Sequence, residues 1–286
     1  MGRLFAFFVM GLAATAAVAA PPSPYKSEFA AEQVQVSPDG QRNVVQKMFI
    51  GDQKLRFEMI PVAAQGQPNG GSVVIVVDTA AKRGWRLFPE QSMYMEMPVP
   101  PEMKDAPAAA GDDDSPCAGH PRMSCVKQGV EDVNGRKALK WEMSGGARQG
   151  QPVRFTQWID VERHFPVKSE MPNGAKFEAK LVGTETVNGR SAEKWENTTT
   201  EQGNTQTTLV WFDPELNTAI RQQFPNGAVV ELTNIQEGAQ PAALFTIPAG
   251  YHETAPPQMP RGQGGPMSGG QMPQRGQMPP AGMQQR

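Results

Sequence analysis

The chain has 286 residues, with 27 Lys and Arg against 29 Asp and Glu for a formal net charge of −2, and it is rich in Gly (29) and Pro (27). Charges so balanced and scattered exclude the concentrated basic face that draws nucleic acid, so no nucleic-acid partner is expected. The length suits one moderately sized globular domain with polar segments attached.

The chain opens MGRLFAFFVMGLAATAAVAAPPSP, in which Arg3 precedes an apolar run over 4–12 and small residues lead to Ala17, Val18 and Ala19. This is the pattern of a secretory signal peptide, assigned to residues 1–20 with cleavage after Ala19 or Ala20. The run is shorter than the roughly 20 residues a membrane span needs, and no later segment approaches that length, so the mature chain is expected in the periplasm and not across a membrane.

From residue 29 the sequence alternates polar and apolar residues around turn-forming groups at Pro38-Asp39-Gly40 and Gly51-Asp52, which predicts a three-stranded antiparallel meander. On its last strand Leu55, Phe57 and Met59 point one way, Arg56 and Glu58 the other. Three more strands are predicted over 73–77, 85–88 and 93–97, the last with Met at every second position. Such a stripe is the inner face of a sheet, and thioethers adapt to flexible apolar guests. No segment has a sustained helical period; short helices are placed near 23–32 and 240–244.

Residues 100–125 form an acidic, cysteine-bearing loop containing Asp112, Asp113 and Asp114. Its Cys117 and Cys125 are the only cysteines, and in an oxidising compartment they are expected to form a disulfide. A metal site using Cys117, His120 and Cys125 lacks a fourth ligand and a common zinc spacing, so no metal and no cofactor is expected.

Beyond the loop one phrase occurs twice, GVEDVNGRKALKWEM at 129–143 and GTETVNGRSAEKWEN at 183–197. The likeness continues: Trp141 matches Trp195, QWID at Trp158 matches VWFD at Trp211, and PNGA follows in both. Asn-Gly suits the positive φ values of a two-residue type I′ hairpin turn. The reading is therefore a duplicated unit, 129–182 and 183–235, each a run of antiparallel strands extending one curved sheet. Asp160 and Asp213 end their strands by bonding backbone in a turn, while Arg136 and Arg190 are expected to project a cation at the turn's edge. The chain closes in a Pro, Gly, Gln and Met tail, 253–286, too poor in branched and aromatic residues to order itself. Its five methionines offer thioethers to a soft metal, but their irregular spacing with no His or Cys beside them favours a solvated linker-like tail.

The segments KLRFEM, VVIVVDTAAKRGWRLFPEQSMYMEMP, the WID and WFD strands, and above all the ending VVELTNIQEGAQPAALFTIPAGY resemble the outer-membrane lipoprotein-sorting carriers of the LolA/LolB kind and their exported relatives. The resemblance spans about 25–252 within a domain assigned to 21–252. It implies a mainly β fold: a strongly curved antiparallel sheet forming an incomplete half barrel, with few short helices, whose concave apolar face holds a lipid or lipoprotein acyl chain. The lid-forming helices of those carriers have no clear counterpart. The candidate lining residues are Phe57, Met59, Trp85, Met93, Met95, Trp141, Trp158 and Trp211. His120, His164 and His252 pair with no nucleophile, and no hydrolase, metalloprotease or phosphate-loop motif occurs, so no catalysis is expected. The alternative is an envelope interaction or stress scaffold with a filled core, acting through the acidic loop and the Met-rich tail.

Overall fold

The computed structural model describes residues 25–61, 71–97, 115–117, 123–148 and 151–254. The expected signal peptide and its cleavage at Ala19 or Ala20, the acidic run at Asp112 to Asp114, His120, and the tail from residue 255 lie outside them. Sixteen strands follow in chain order: β1 (Phe29–Val36), β2 (Arg42–Gly51), β3 (Lys54–Met59), β4 (Val73–Asp78), β5 (Arg83–Phe88), β6 (Met93–Met97), β7 (Met123–Val133), β8 (Arg136–Arg148), β9 (Gln151–Asp160), β10 (Pro166–Glu170), β11 (Lys176–Val187), β12 (Arg190–Glu201), β13 (Asn204–Asp213), β14 (Thr218–Gln223), β15 (Val229–Glu237) and β16 (His252–Glu253). They make a single sheet ordered β16-β6-β5-β4-β3-β2-β1-β15-β14-β13-β12-β11-β10-β9-β8-β7. Every pairing is antiparallel except that of β16 with β6, which takes in Glu253 at the head of the expected tail.

The expected helix near 23–32 is overturned: from Phe29 the chain is strand β1, because Phe29 and Ala31 alternate inward and the strand pairs with both β2 and β15. The second expected helix is present as one 3-10 turn, Ala242–Phe245. Another spans Pro89–Gln91.

Turn chemistry places the hairpins. Asn134 and Gly135 have φ of 54° and 79°, Asn188 and Gly189 of 50° and 81°, the two consecutive positive values that a type I′ turn requires. These turns also reveal the curvature. β8 and β11 stand three positions apart, about 14 Å in a flat sheet. Yet Asn134 between β7 and β8 donates its Nδ2 to Glu178 Oε1 at 2.7 Å and to the Ala179 carbonyl at 3.4 Å on β11. Asn188 does the same to the Leu232 carbonyl of β15, at 3.0 Å. The sheet is open, and it rolls upon itself.

The rolling makes layers. Trp158 pairs across β10 with Lys168, and Lys168 across β11 with Glu178 and then Thr198, so by strand alternation Trp195 lies on the opposite face from Trp158. The two nevertheless share one core with Val133, Ala138 and Ala179. One face of β8 and β9 therefore packs on the other face of β12 and β13. The pattern recurs one step on, where Trp211, Ala192 and Ile220 pack with Phe29, Ala31, Met48 and Ile50. Both ends of this stack are capped, as stacked units require. The outer face of β2 to β5 (Phe49, Val74, Val76, Leu87) is covered by Leu244, Phe245 and Tyr251. Around Trp141, Met143 and Phe155 the cover includes the disulfide between Cys117 and Cys125. Phe245 sits directly on Gly51, where an added Cβ would lie 2.8 Å from its ring.

Candidate binding face on strands β3 to β6

Register aligns the side chains of β2 to β6 in three rows on one face. The first runs Ile50, Leu55, Val77, Gly84, Met97; the second Met48, Phe57, Ile75, Arg86, Met95; the third brings Gln46, Met59 and Val73 together with Phe88 and Met93. The β-branched and aliphatic residues supply strand propensity and the alternation supplies the single apolar face. Burial falls along the rows. Leu55 and Val77 are sealed in the core shared with Trp211 and Leu216. Phe57, Ile75, Val73, Phe88, Met93 and Met95 are half-buried, and Met59 is 41% exposed. An apolar strip thus continues the core outward without being closed.

Of the eight expected lining residues, this face gathers Phe57, Met59, Met93 and Met95. Trp85 is on the reverse side, because it pairs with Val76 and Glu96 and not with the Phe57 row; it packs in the cluster of Phe245, with the Arg83 guanidinium 5.1 Å from its ring centroid. Trp141, Trp158 and Trp211 are 6%, 4% and 4% exposed and sit in three separate clusters.

Two of those tryptophans, Trp158 and Trp211, are sealed by charge. Trp158 donates its indole N–H to Glu131 at 2.7 Å, and Glu131 also accepts from Lys140 at 3.0 Å. Trp211 repeats this with Glu185 at 2.7 Å and Lys194 at 2.8 Å. Lys140 and Lys168 lie over Trp158 at 5.1 and 4.4 Å, Lys194 and Arg221 over Trp211 at 5.1 and 5.0 Å, within cation–π range. The Trp158 indole and then the Lys140 ammonium hold the Glu131 carboxyl below its ordinary range; Lys194 and then Trp211 do so for Glu185.

Beneath each hairpin turn is an ion pair that sequence reading missed. Arg136 binds Asp160 with two nitrogens, Nη2 reaching Oδ1 at 2.9 Å, and contacts Glu162 at 3.0 Å. Arg190 binds Asp213 and reaches Glu237 at 2.5 Å. Both aspartates are 1% exposed. Oδ1 of each aspartate also accepts backbone N–H groups, from Glu162 and Arg163 at 2.9 and 2.8 Å and from Glu215 and Leu216 at 2.8 and 3.1 Å, as the turn role predicts. The expectation of free cations at the turn edge is corrected: both arginines point inward to neutralise a buried carboxylate. Burial alone would raise the Asp160 pKa, but the Arg136 guanidinium and the two amides outweigh it and hold it low. The signal lay in the Arg after each Asn-Gly and the Asp after each Trp, 24 and 23 residues apart.

A groove of about 620 Å³ lies at the far ends of β7 to β10, lined in equal measure by polar residues such as Glu142, Arg154 and Thr156 and apolar ones such as Met143, Phe155 and Met171; it holds none of the expected lining residues. Among the described residues no group of three or more His, Cys, Asp or Glu is placed to hold a metal ion, and no helix is long and apolar enough to cross a membrane.

No family model matches the chain, and no curated protein matches it. Among solved structures it is similar to a LolA superfamily protein from Nitrosomonas europaea at 11% identity and a TM-score of 0.31, over 80% of this chain and 94% of that one. It is also similar to a domain described as an outer membrane lipoprotein-sorting protein from Vibrio parahaemolyticus, at 8% identity and a TM-score of 0.25 over 74% and 86% of the two chains. A third is MucB, at 11% identity and a TM-score of 0.22 over 77% and 90%.

Proposed function

We propose that this is an exported, non-enzymatic binding or carrier protein that holds an apolar molecule, such as a lipid or an acyl chain, against the face of β3 to β6. One observation carries the reading. A sheet that buries Trp158 and Trp211 under cations and carboxylates elsewhere leaves Phe57, Met59, Ile75, Met93 and Met95 half-open on one continuous face. Apolar surface retained outside a core marks an interaction site, and methionine suits guests of variable shape. The N-terminal signal pattern and the disulfide support export.

The test is to purify the mature protein, extract it with organic solvent, and titrate it with the uncharged polarity probe N-phenyl-1-naphthylamine. The expected result is a lipid-class molecule in the extract and saturable probe fluorescence that falls on the order of tenfold in affinity for Met95→Glu. An empty extract together with no probe response removes the proposal. The filled layers of β7 to β15 favour the scaffold as a second reading; removal of residues 255–286 with no change in cross-linked partners would deprive it of its main support.

A further inference from the structure

The face of β2 to β6 offers one charge. Its three rows comprise Gln46, Met48 and Ile50 on β2, Leu55, Phe57 and Met59 on β3, Val73, Ile75 and Val77 on β4, Gly84, Arg86 and Phe88 on β5, and Met93, Met95 and Met97 on β6. Arg86 is the only ionisable residue among them. It is exposed, flanked across the strands by Ile75 and Met95, and makes no ion pair or side-chain hydrogen bond among the described residues. The neighbouring arginines behave otherwise. On the reverse face Arg83 forks onto both oxygens of Glu96 at 3.0 Å, and Arg56 binds Glu58 and the Leu244 carbonyl, each at 2.8 Å.

We infer that the molecule held on this face is an anionic amphiphile, a single alkyl or acyl chain ending in a carboxylate or phosphate, with Arg86 as its counter-ion; the inference rests on the apolar-binding reading above. A guanidinium presents a planar fork of donors that matches either headgroup bidentately. Its aliphatic stem lies along the apolar row while the head reaches water, so the anion would sit at the solvent edge. The chain would then cross β4 to β3, roughly 10 Å of sheet, toward Phe57 and Met59. Charge complementarity and apolar continuity thus select one orientation.

The experiment is displacement of N-phenyl-1-naphthylamine from the full mature chain by hexadecanol, palmitate and hexadecyl phosphate, each below its aggregation threshold, with the parent, Arg86→Gln and Arg86→Lys. The expected result is that both anions displace the probe on the order of tenfold better than the alcohol. Arg86→Gln should then equalise all three without altering displacement by hexadecanol, and Arg86→Lys should retain part of the preference. The stronger of the two anions identifies the headgroup. Equal displacement of the parent by all three overturns the anionic class and leaves the apolar site standing, whereas a parent that takes up no probe removes the site beneath it. Loss of all three competitors in Arg86→Gln would also overturn the inference, since the arginine would then be shaping the face and not pairing a headgroup.

Discussion

Strands β3 to β6 and strands β8 to β13 use large apolar side chains in opposite ways. In the later strands Trp158 and Trp211 are pressed between layers and finished at their polar edges, each with a carboxylate on the indole N–H and two cations over the ring. In the earlier strands Phe57, Ile75, Met93 and Met95 have no such finish and remain half-open. The first arrangement over-determines its geometry and serves stability. The second leaves surface whose burial must come from elsewhere, which is the condition for binding.

If that contrast is correct, the largest losses of stability should come from the charged supports of the layers. Arg136→Ala would strand the buried Asp160 carboxylate and is expected to destabilise by about 3 to 5 kcal/mol, with Arg190→Ala costing a similar amount; urea midpoints measure both. Equal stability of Arg136→Ala and the parent would mean that the pairs are ornament. The turns come next. A Cβ added at Gly135 meets nothing within 4 Å, so the cost of Gly135→Val is chiefly backbone strain at φ 79°, about 1 to 3 kcal/mol, read as a lowered melting temperature.

Acid should act through the same supports. Asp160 is held below its ordinary pKa in the folded protein, so its contribution is complete above the unfolded value near 4 and is lost as pH falls through the lower folded value. Urea midpoints should therefore be flat from this source above about pH 5 and decline below about pH 4, with a shallower decline in Asp160→Asn. A parent whose stability rises on acidification through that window would contradict the assignment. The smallest structural effect belongs to the open strip. Met95→Glu should change stability by less than about 0.5 kcal/mol while abolishing most probe binding, and a large loss of stability there would erase the distinction between the two regions.

Much of this was legible before any fold was known. Alternation located the strands of the first meander, and the two Asn-Gly pairs located their turns, because both signals are local. What alternation does not contain is which face of one strand meets which face of another several strands away. Trp85 and Arg86 are adjacent, so they point to opposite sides, and alternation alone did not show that Trp85 lies on the reverse side from Phe57 and Met95. The pairing of Arg136 with Asp160 was equally hidden, since each residue reads alone as turn chemistry. Phe29 to Glu32 resembled a helix start only until β15, from the far end of the chain, supplied its partner.

The ring of Phe245 resting on Gly51 bears on the order in which the molecule assembles. The strands whose outer face it covers are made well before the cover, as the chain emerges from its amino terminus. For most of synthesis Val74, Val76 and Leu87 have no lid, and a contact so distant in sequence closes slowly because loop entropy must be overcome before it forms. The nascent sheet therefore carries a bare apolar face through its longest vulnerable interval. A chain cut short before Ala242 would keep β1 to β15, lose this cover together with β16, and lose its solubility.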